Sequence, residues 1–164
     1  KVPGYPSDFA LFCRGFMQEG SLIDLGCGNG RDSIYFADEG MRVTALDITD
    51  YYREEIESCG VNFLKHNLAN FDIRGFDNIY CRFLFHAIPE YIEDRILNSI
   101  MGGMLFIEAR SDKDKIDGHY RRLINMDRLL NKLSDFEIIY KTEQRGLAVH
   151  KGEDPMIIRI VCKR

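Results

Sequence analysis

Residues 21–32, Ser-Leu-Ile-Asp-Leu-Gly-Cys-Gly-Asn-Gly-Arg-Asp, constrain this chain more than any other stretch. Leu22, Ile23 and Leu25 form a short apolar run of the kind a strand buried on both faces shows. Gly26, Gly28 and Gly30 follow at alternate positions. From Arg31 the pattern turns helical, with Ile34, Phe36 and Ala37 on one face. Strand, glycine loop and helix together bring backbone close to a ligand at the carboxyl edge of a sheet. A glycine, having no Cβ, permits that approach.

Around this loop the pattern alternates. Ser7 is placed to cap a helix running to about Gln18. Strands are expected over 21–25, 42–46, 61–65, 77–83 and 104–109. Helices are expected over 31–39, 52–58 and 89–100, and from Asn125 to about Leu133. Two further strands, 136–141 and 156–162, follow without an intervening helix and read as an antiparallel pair. The expected fold is α/β: a Rossmann-like, doubly wound, seven-stranded and mostly parallel sheet. It has helices on both faces and an antiparallel hairpin at one edge. The 164 residues suit one domain, 1–164. The chain begins at Lys1 and not at a methionine, so its N-terminus is expected to be incomplete. The abrupt connection 111–118 leads us to expect that part of a longer loop is missing there.

Bulk properties narrow the function. A net charge of −4 gives a nucleic-acid partner no electrostatic support. No apolar run is long enough to span a bilayer, so no membrane partner is expected. The five cysteines are scattered without a C-x-x-C pair, as reduced thiols in a cytoplasm would be. The four histidines show no H-x-x-x-H or H-E-x-x-H spacing, so no metal is expected.

The loop's spacing then chooses among ligands. A nicotinamide-binding loop follows G-x-G-x-x-G and needs a glycine at position 31, which is Arg here. Asp24 lies two places before the first glycine, where a carboxylate repels a pyrophosphate but suits an ammonium group. Asp47 ends the second strand, in position to accept from ribose hydroxyls. An adenosine bearing a cationic amino-acid arm satisfies both acids.

Asp-Leu-Gly-Cys-Gly-Asn-Gly-Arg-Asp-Ser, followed by Arg-Val-Thr-Ala-Leu-Asp, closely resembles the class I S-adenosylmethionine-dependent methyltransferases. The resemblance covers nearly the whole chain. It implies a cytoplasmic enzyme with S-adenosylmethionine as cofactor and S-adenosylhomocysteine as product. Asp24, Gly26, Gly28 and Gly30 match the family's first motif, with Arg31 and Asp32 following where the methionine arm ends. Asp47, beside Ile48, matches the ribose-binding acid, and His66-Asn67-Leu68 the loop that frames adenine, with Asn67 and Leu68 as contacts. Cys81 and Arg82 match the wall near the sulfonium.

The acceptor side is expected above the fourth and fifth strands. Arg82, Arg110 and the segment His119-Tyr120-Arg121-Arg122 converge there, with Tyr5 in position to cover the pocket. Guanidinium forks match carboxylate or phosphate oxygens, so a small anionic acceptor is expected, held by Arg82, His119, Tyr120 and Arg122. The bland alternative pairs these arginines with Glu90, Glu108 or Asp127. His86 reads as a packed histidine and His150 as a solvated one in a distant hairpin loop. Gly-Arg-Asp-Ser-Ile-Tyr-Phe-Ala resembles short methyltransferases acting on tellurite, thiols or halides. Tyr-Cys-Arg-Phe-Leu-Phe-His-Ala-Ile, Ile-Glu-Ala-Arg-Ser and Gly-Leu-Ala-Val-His-Lys-Gly-Glu-Asp-Pro resemble methyltransferases of bacterial capsule clusters, including those that O-methylate a phosphoramidate. The expectation is therefore O-methylation of a phosphoramidate or similar anion in capsular polysaccharide biosynthesis. A non-catalytic methyltransferase-fold subunit is the rival of another class, and a nicotinamide oxidoreductase the third.

Overall fold

The computed structural model describes residues 4–114 and 122–164. In chain order it runs α1 Asp8–Arg14, β1 Ser21–Leu25, α2 Arg31–Asp38, β2 Arg42–Asp47, α3 Arg53–Ser58 and β3 Asn62–Lys65. Then come β4 Asn78–Arg82, a single 3-10 turn Phe85–Ala87, α4 Glu90–Ser99, β5 Met104–Arg110, α5 Met126–Lys132, β6 Glu137–Gln144 and β7 Ile157–Lys163. The expected missing loop and the candidates His119 and Tyr120 fall wholly or partly on residues outside those described.

The seven strands form one sheet in the order β3-β2-β1-β4-β5-β7-β6. The first five are parallel, and β7 inserts antiparallel between β5 and β6. This is the expected architecture. Winding starts at β1 and proceeds outward through β2 and β3, then returns to place β4 on the other side of β1. The carboxyl ends of β1 and β4 therefore flank a crevice, where ligands of open α/β sheets bind.

Alternation along the strands sorts the core into two layers. Ile23, Leu25, Ile79, Cys81, Leu105 and Ile107 face α4 and α5. Leu22, Val43, Ala45, Tyr80 and Phe106 face α1, α2 and α3. Asp24, Tyr80 and Glu108 project on that second side, and all three are buried.

Local capping follows the sequence in two places. Ser7 Oγ accepts from Ala10 N at 3.1 Å, and Asn125 Oδ1 accepts from Arg128 N at 3.0 Å. One element is shorter than expected. α1 ends at Arg14 and not near Gln18, because Asn78 captures the backbone of Gln18. Its Oδ1 accepts from Gln18 N at 2.9 Å and its Nδ2 donates to Gln18 O at 2.8 Å. Those groups are then unavailable to a helical ladder. Among the described residues, no helix is long and apolar enough to cross a membrane.

Candidate active site

The glycine loop is tied to the end of β2. Gly26 N and Cys27 N both donate to Leu46 O, at 2.8 and 3.0 Å. Gly28 N donates to Asp47 Oδ2 at 2.9 Å, and Thr49 N to Asp47 Oδ1 at 3.1 Å. Thr49 Oγ1 also donates to Oδ1, at 3.4 Å, so both carboxylate oxygens are oriented and Oδ2, with one donor, keeps a lone pair for a ligand. Gly28 and Gly30 serve different ends. Both have positive φ, 58° and 78°. A Cβ on Gly30 would collide with Ile56 of α3, whereas one on Gly28 would meet no protein atom within 4 Å. Gly30 is therefore needed for packing, and Gly28 for the open space above it.

Three cavities adjoin at the crevice. The first, of about 560 Å³, lies beyond β2 and is lined by Asp47, Ile48, His66, Asn67, Leu68 and Leu84, among others. Asn67 Oδ1 accepts from Ala69 N at 2.9 Å, so its own turn orients the amide. The second, of about 490 Å³, lies over the glycine loop beside Asp24, Gly28, Arg31, Asp32 and Tyr80. The third, of about 410 Å³, lies above β5 and β7 and holds Arg31, Arg82, Arg110 and Arg159 with Asp8, Glu108 and Glu153. Phe83 lines all three. It adopts a φ of 54°, uncommon for a bulky residue, with its N–H donated to Glu108 O at 2.8 Å. The Arg82 guanidinium lies 4.3 Å from the centre of its ring.

Asp24 is wholly buried, and its carboxyl is pushed up to about 7 by loss of solvent, despite the hydrogen bond from Ser33 Oγ at 2.6 Å. Asp32, also buried, accepts from Ser7 N, Ser7 Oγ and Tyr80 Oη, each at 2.7 Å. Its carboxylate thus latches the segment before α1 onto α2 and β4. Glu108 sits between two guanidinium groups, with Oε1 3.1 Å from Arg82 Nε and Oε2 2.6 Å from Arg159 Nε. Burial holds its carboxyl above the ordinary range, an effect the two arginines offset only in part.

Several sequence expectations change here. Arg122 does not line any of the three cavities. It donates to Glu93 Oε1 at 2.7 Å and to Ile88 O at 3.1 Å, anchoring the start of α4. Cys81 packs in the α4 and α5 core, because its neighbour Arg82 takes the outward register at the strand end. Tyr5 is 91% exposed. Pro6, Ser7 and Asp8 line the third cavity in its place. His86 is a packed histidine, as expected. It is buried, its Nδ1 accepts from Arg110 N at 3.0 Å, and burial with nearby arginines lowers it to about 4. His150, read as solvated and distant, is exposed but lines both the second and third cavities. Phe83, Glu108, Arg159 and His150 are the site residues that sequence reasoning missed. Arg159 lies in the expected last strand, and its place beside Glu108 follows from the pairing of β7 with β5.

One acidic cluster lies elsewhere, formed by Glu90, Glu93 and Asp94. Lys132 Nζ sits within 2.8 Å of an oxygen of each, so an ammonium already occupies its centre.

Residues 22–102 match a family model described as a methyltransferase domain. No curated protein matches the sequence. Among solved structures, TehB from Haemophilus influenzae is similar with a TM-score of 0.81 at 17% identity, over 94% of this chain and 61% of that one. The chain thus spans less than two thirds of that protein's length. An S-adenosylmethionine-dependent methyltransferase from Methanosarcina mazei is similar with a TM-score of 0.75 at 17% identity, over 99% of each chain. A third is the Burkholderia thailandensis 1,6-didemethyltoxoflavin N1-methyltransferase, holding S-adenosylhomocysteine. It has a TM-score of 0.71 at 19% identity, over 95% of this chain and 76% of that one. At these identities the likeness is one of fold.

Proposed function

We infer that this chain, whose residues 22–102 match a methyltransferase-domain model, is an S-adenosylmethionine-dependent enzyme that methylates a small anionic acceptor. The observation that carries this reading is the trough of three cavities that meet at Phe83. Its residues fit the cofactor part by part. Asp47 offers oriented oxygens to the ribose hydroxyls at the mouth of the first cavity. Ile48, Asn67 and Leu68 line the space for adenine. Gly26, Gly28, Arg31 and Asp32 border the space for the methionine arm, and buried Asp24 lies where an ammonium is welcome. When bound, the cofactor supplies a methyl group on a cationic sulfur.

The acceptor cavity holds four arginines against three carboxylates, and two of those arginines share one carboxylate, Glu108. That balance favours an anion bound through guanidinium N–H groups. The residues' task is to fix the acceptor in line with the methyl group and to exclude water. Arg82 is the acceptor residue retained from the sequence reading; Arg122 acts on α4, and His119 and Tyr120 remain acceptor candidates from sequence. The finer reading is O-methylation of a phosphoramidate in capsule biosynthesis in the cytoplasm, supported by the sequence resemblance and by the arginines. Tellurite or thiol methylation is the second reading, favoured by the segment that opens α2.

Calorimetric titration with S-adenosylhomocysteine tests the cofactor reading, and heat of binding with one site is expected. No binding would favour a non-catalytic subunit. A screen with labelled cofactor against phosphoramidate, phosphate-ester, thiol and tellurite acceptors then tests the finer one. Turnover confined to neutral acceptors would sink the anionic reading.

A further inference from the structure

We propose that His150 is a catalytic residue that takes the proton from the acceptor's nucleophilic atom, on an anionic acceptor that arrives with that atom protonated. The inference rests on the methyl-transfer reading above. Four residues line both the methionine-arm cavity and the acceptor cavity: Arg31, Arg82, Phe83 and His150. Their shared boundary is where a methyl group must pass from one cavity to the other. Arginine stays protonated in proteins and phenylalanine carries no proton to exchange. Imidazole is the only side chain of the four that can accept a proton near neutral pH.

The local fold presents this histidine on a rigid tip. His150 N donates to Glu153 O and Glu153 N donates to His150 O, both at 2.9 Å. Between them Lys151 and Gly152 have φ of 48° and 83°, as a two-residue type I′ hairpin turn requires. The loop beneath is pinned as well. Arg159 donates to Leu147 O at 3.1 Å, and Arg145 donates to Asp154 O at 2.7 Å and to Asp114 Oδ1 at 2.6 Å. The imidazole's charged neighbours around the cavities are Arg31 on α2, Arg82 on β4, Glu108 and Arg110 on β5 and Arg159 on β7. Asp8 on α1 and Glu153 on its own turn add to them, and Asp24 on β1 and Asp32 on α2 line the second cavity, among the described residues.

A singly ionised phosphoryl group fits this arrangement. Its charged oxygens meet the arginines, and its P–OH proton passes to the His150 imidazole. The freed oxygen forms the new O–CH3 bond. The C–S bond breaks, its electron pair stays on sulfur, and the exposed imidazolium returns the proton to solvent.

The test uses the full chain with S-adenosylmethionine and inorganic phosphoramidate. His150→Gln is expected to lose about 100-fold in methyl transfer at pH 7 and to lose the acid limb of the pH–rate profile. Calorimetric titration of each protein with S-adenosylhomocysteine sets the cofactor concentration, so that the rates are compared at saturation and a change in cofactor affinity is not read as a loss of rate. A rate within about threefold of the parent, with the same acid limb, would overturn the proposal. If the parent leaves phosphoramidate unmethylated, the acceptor reading falls and proton NMR decides on His150. Its ring resonance, assigned by its loss in His150→Gln, is expected to differ between complexes with S-adenosylmethionine and S-adenosylhomocysteine. Identical resonances in the two complexes would overturn the proposal, and absence of either complex would overturn the cofactor reading with it.

Discussion

At the scale of single residues, the residues proposed for the cofactor come together around adjoining cavities because their spacing is local. Asp24, Gly28 and Asp47 lie at fixed offsets along one strand–loop–helix–strand unit, so sequence spacing stands in for spatial proximity. Asp47→Ala is expected to weaken S-adenosylhomocysteine binding by about 1–3 kcal/mol, the cost of leaving ribose hydroxyls unpaired. Calorimetry checks it, and unchanged affinity would remove Asp47 from the site. Asp24 carries a pH signature. An unfolded carboxyl releases its proton near 3.8, while the folded one holds it to about 7. The cofactor-free protein should therefore lose stability as pH rises through that window, and level off above it, at a cost on the order of 4 kcal/mol. Asp24→Asn should flatten that profile and raise the melting temperature at pH 8, while weakening cofactor binding. A parent profile already flat between pH 4 and 7 would contradict the buried, protonated carboxyl. Phe83 and His150 were illegible for different reasons. Nothing in a sequence marks a phenylalanine for positive φ. His150 reaches the site through the packing of β6 and β7, far along the chain from the glycine loop.

At the scale of elements, strands and helices read well, since the apolar alternation that buries each strand is written in consecutive residues. Ends read less well wherever a distant side chain decides them, as Asn78 decides the end of α1. The turn at Lys151-Gly152 falls in the loop expected between the last two strands, but neither its geometry nor its place beside the cavities was readable from sequence. The glycine loop yields a paired prediction. Gly30→Ala meets Ile56 and a left-handed φ, so it should lower the melting temperature strongly. Gly28→Ala meets no protein atom and should cost about 1–2 kcal/mol of stability from its φ alone, yet disrupt cofactor binding. Thermal melts alongside calorimetry separate the two. Equal effects of both substitutions on both readouts would show that the loop is only a tight connection.

At the scale of the whole molecule, one sheet joins the half proposed to hold the methyl donor, built on β1 to β4, to the wall proposed for the acceptor, built on β5, β7 and the loop before β7. A ligand that binds only the folded chain stabilises it by about 2.7 kcal/mol at a hundredfold excess over Kd. For a chain of this size that is a rise in Tm of roughly 5–10 °C with S-adenosylhomocysteine. No rise, at a concentration where calorimetry shows saturation, would mean that the unfolded chain binds equally well. The strand order has a further consequence during synthesis. Chains leave the ribosome from the N-terminal end, and their early parts fold first. β1 to β5 can pair as they emerge, but β7, which follows β6 in the chain, must slot between β5 and β6. Until it does, Glu108 has Arg82 but lacks Arg159, and the turn bearing His150 has no fixed place. On the proposed reading, translation completes the cavity over the glycine loop, its His150 edge apart, before the cavity above β5 and β7 acquires its last wall.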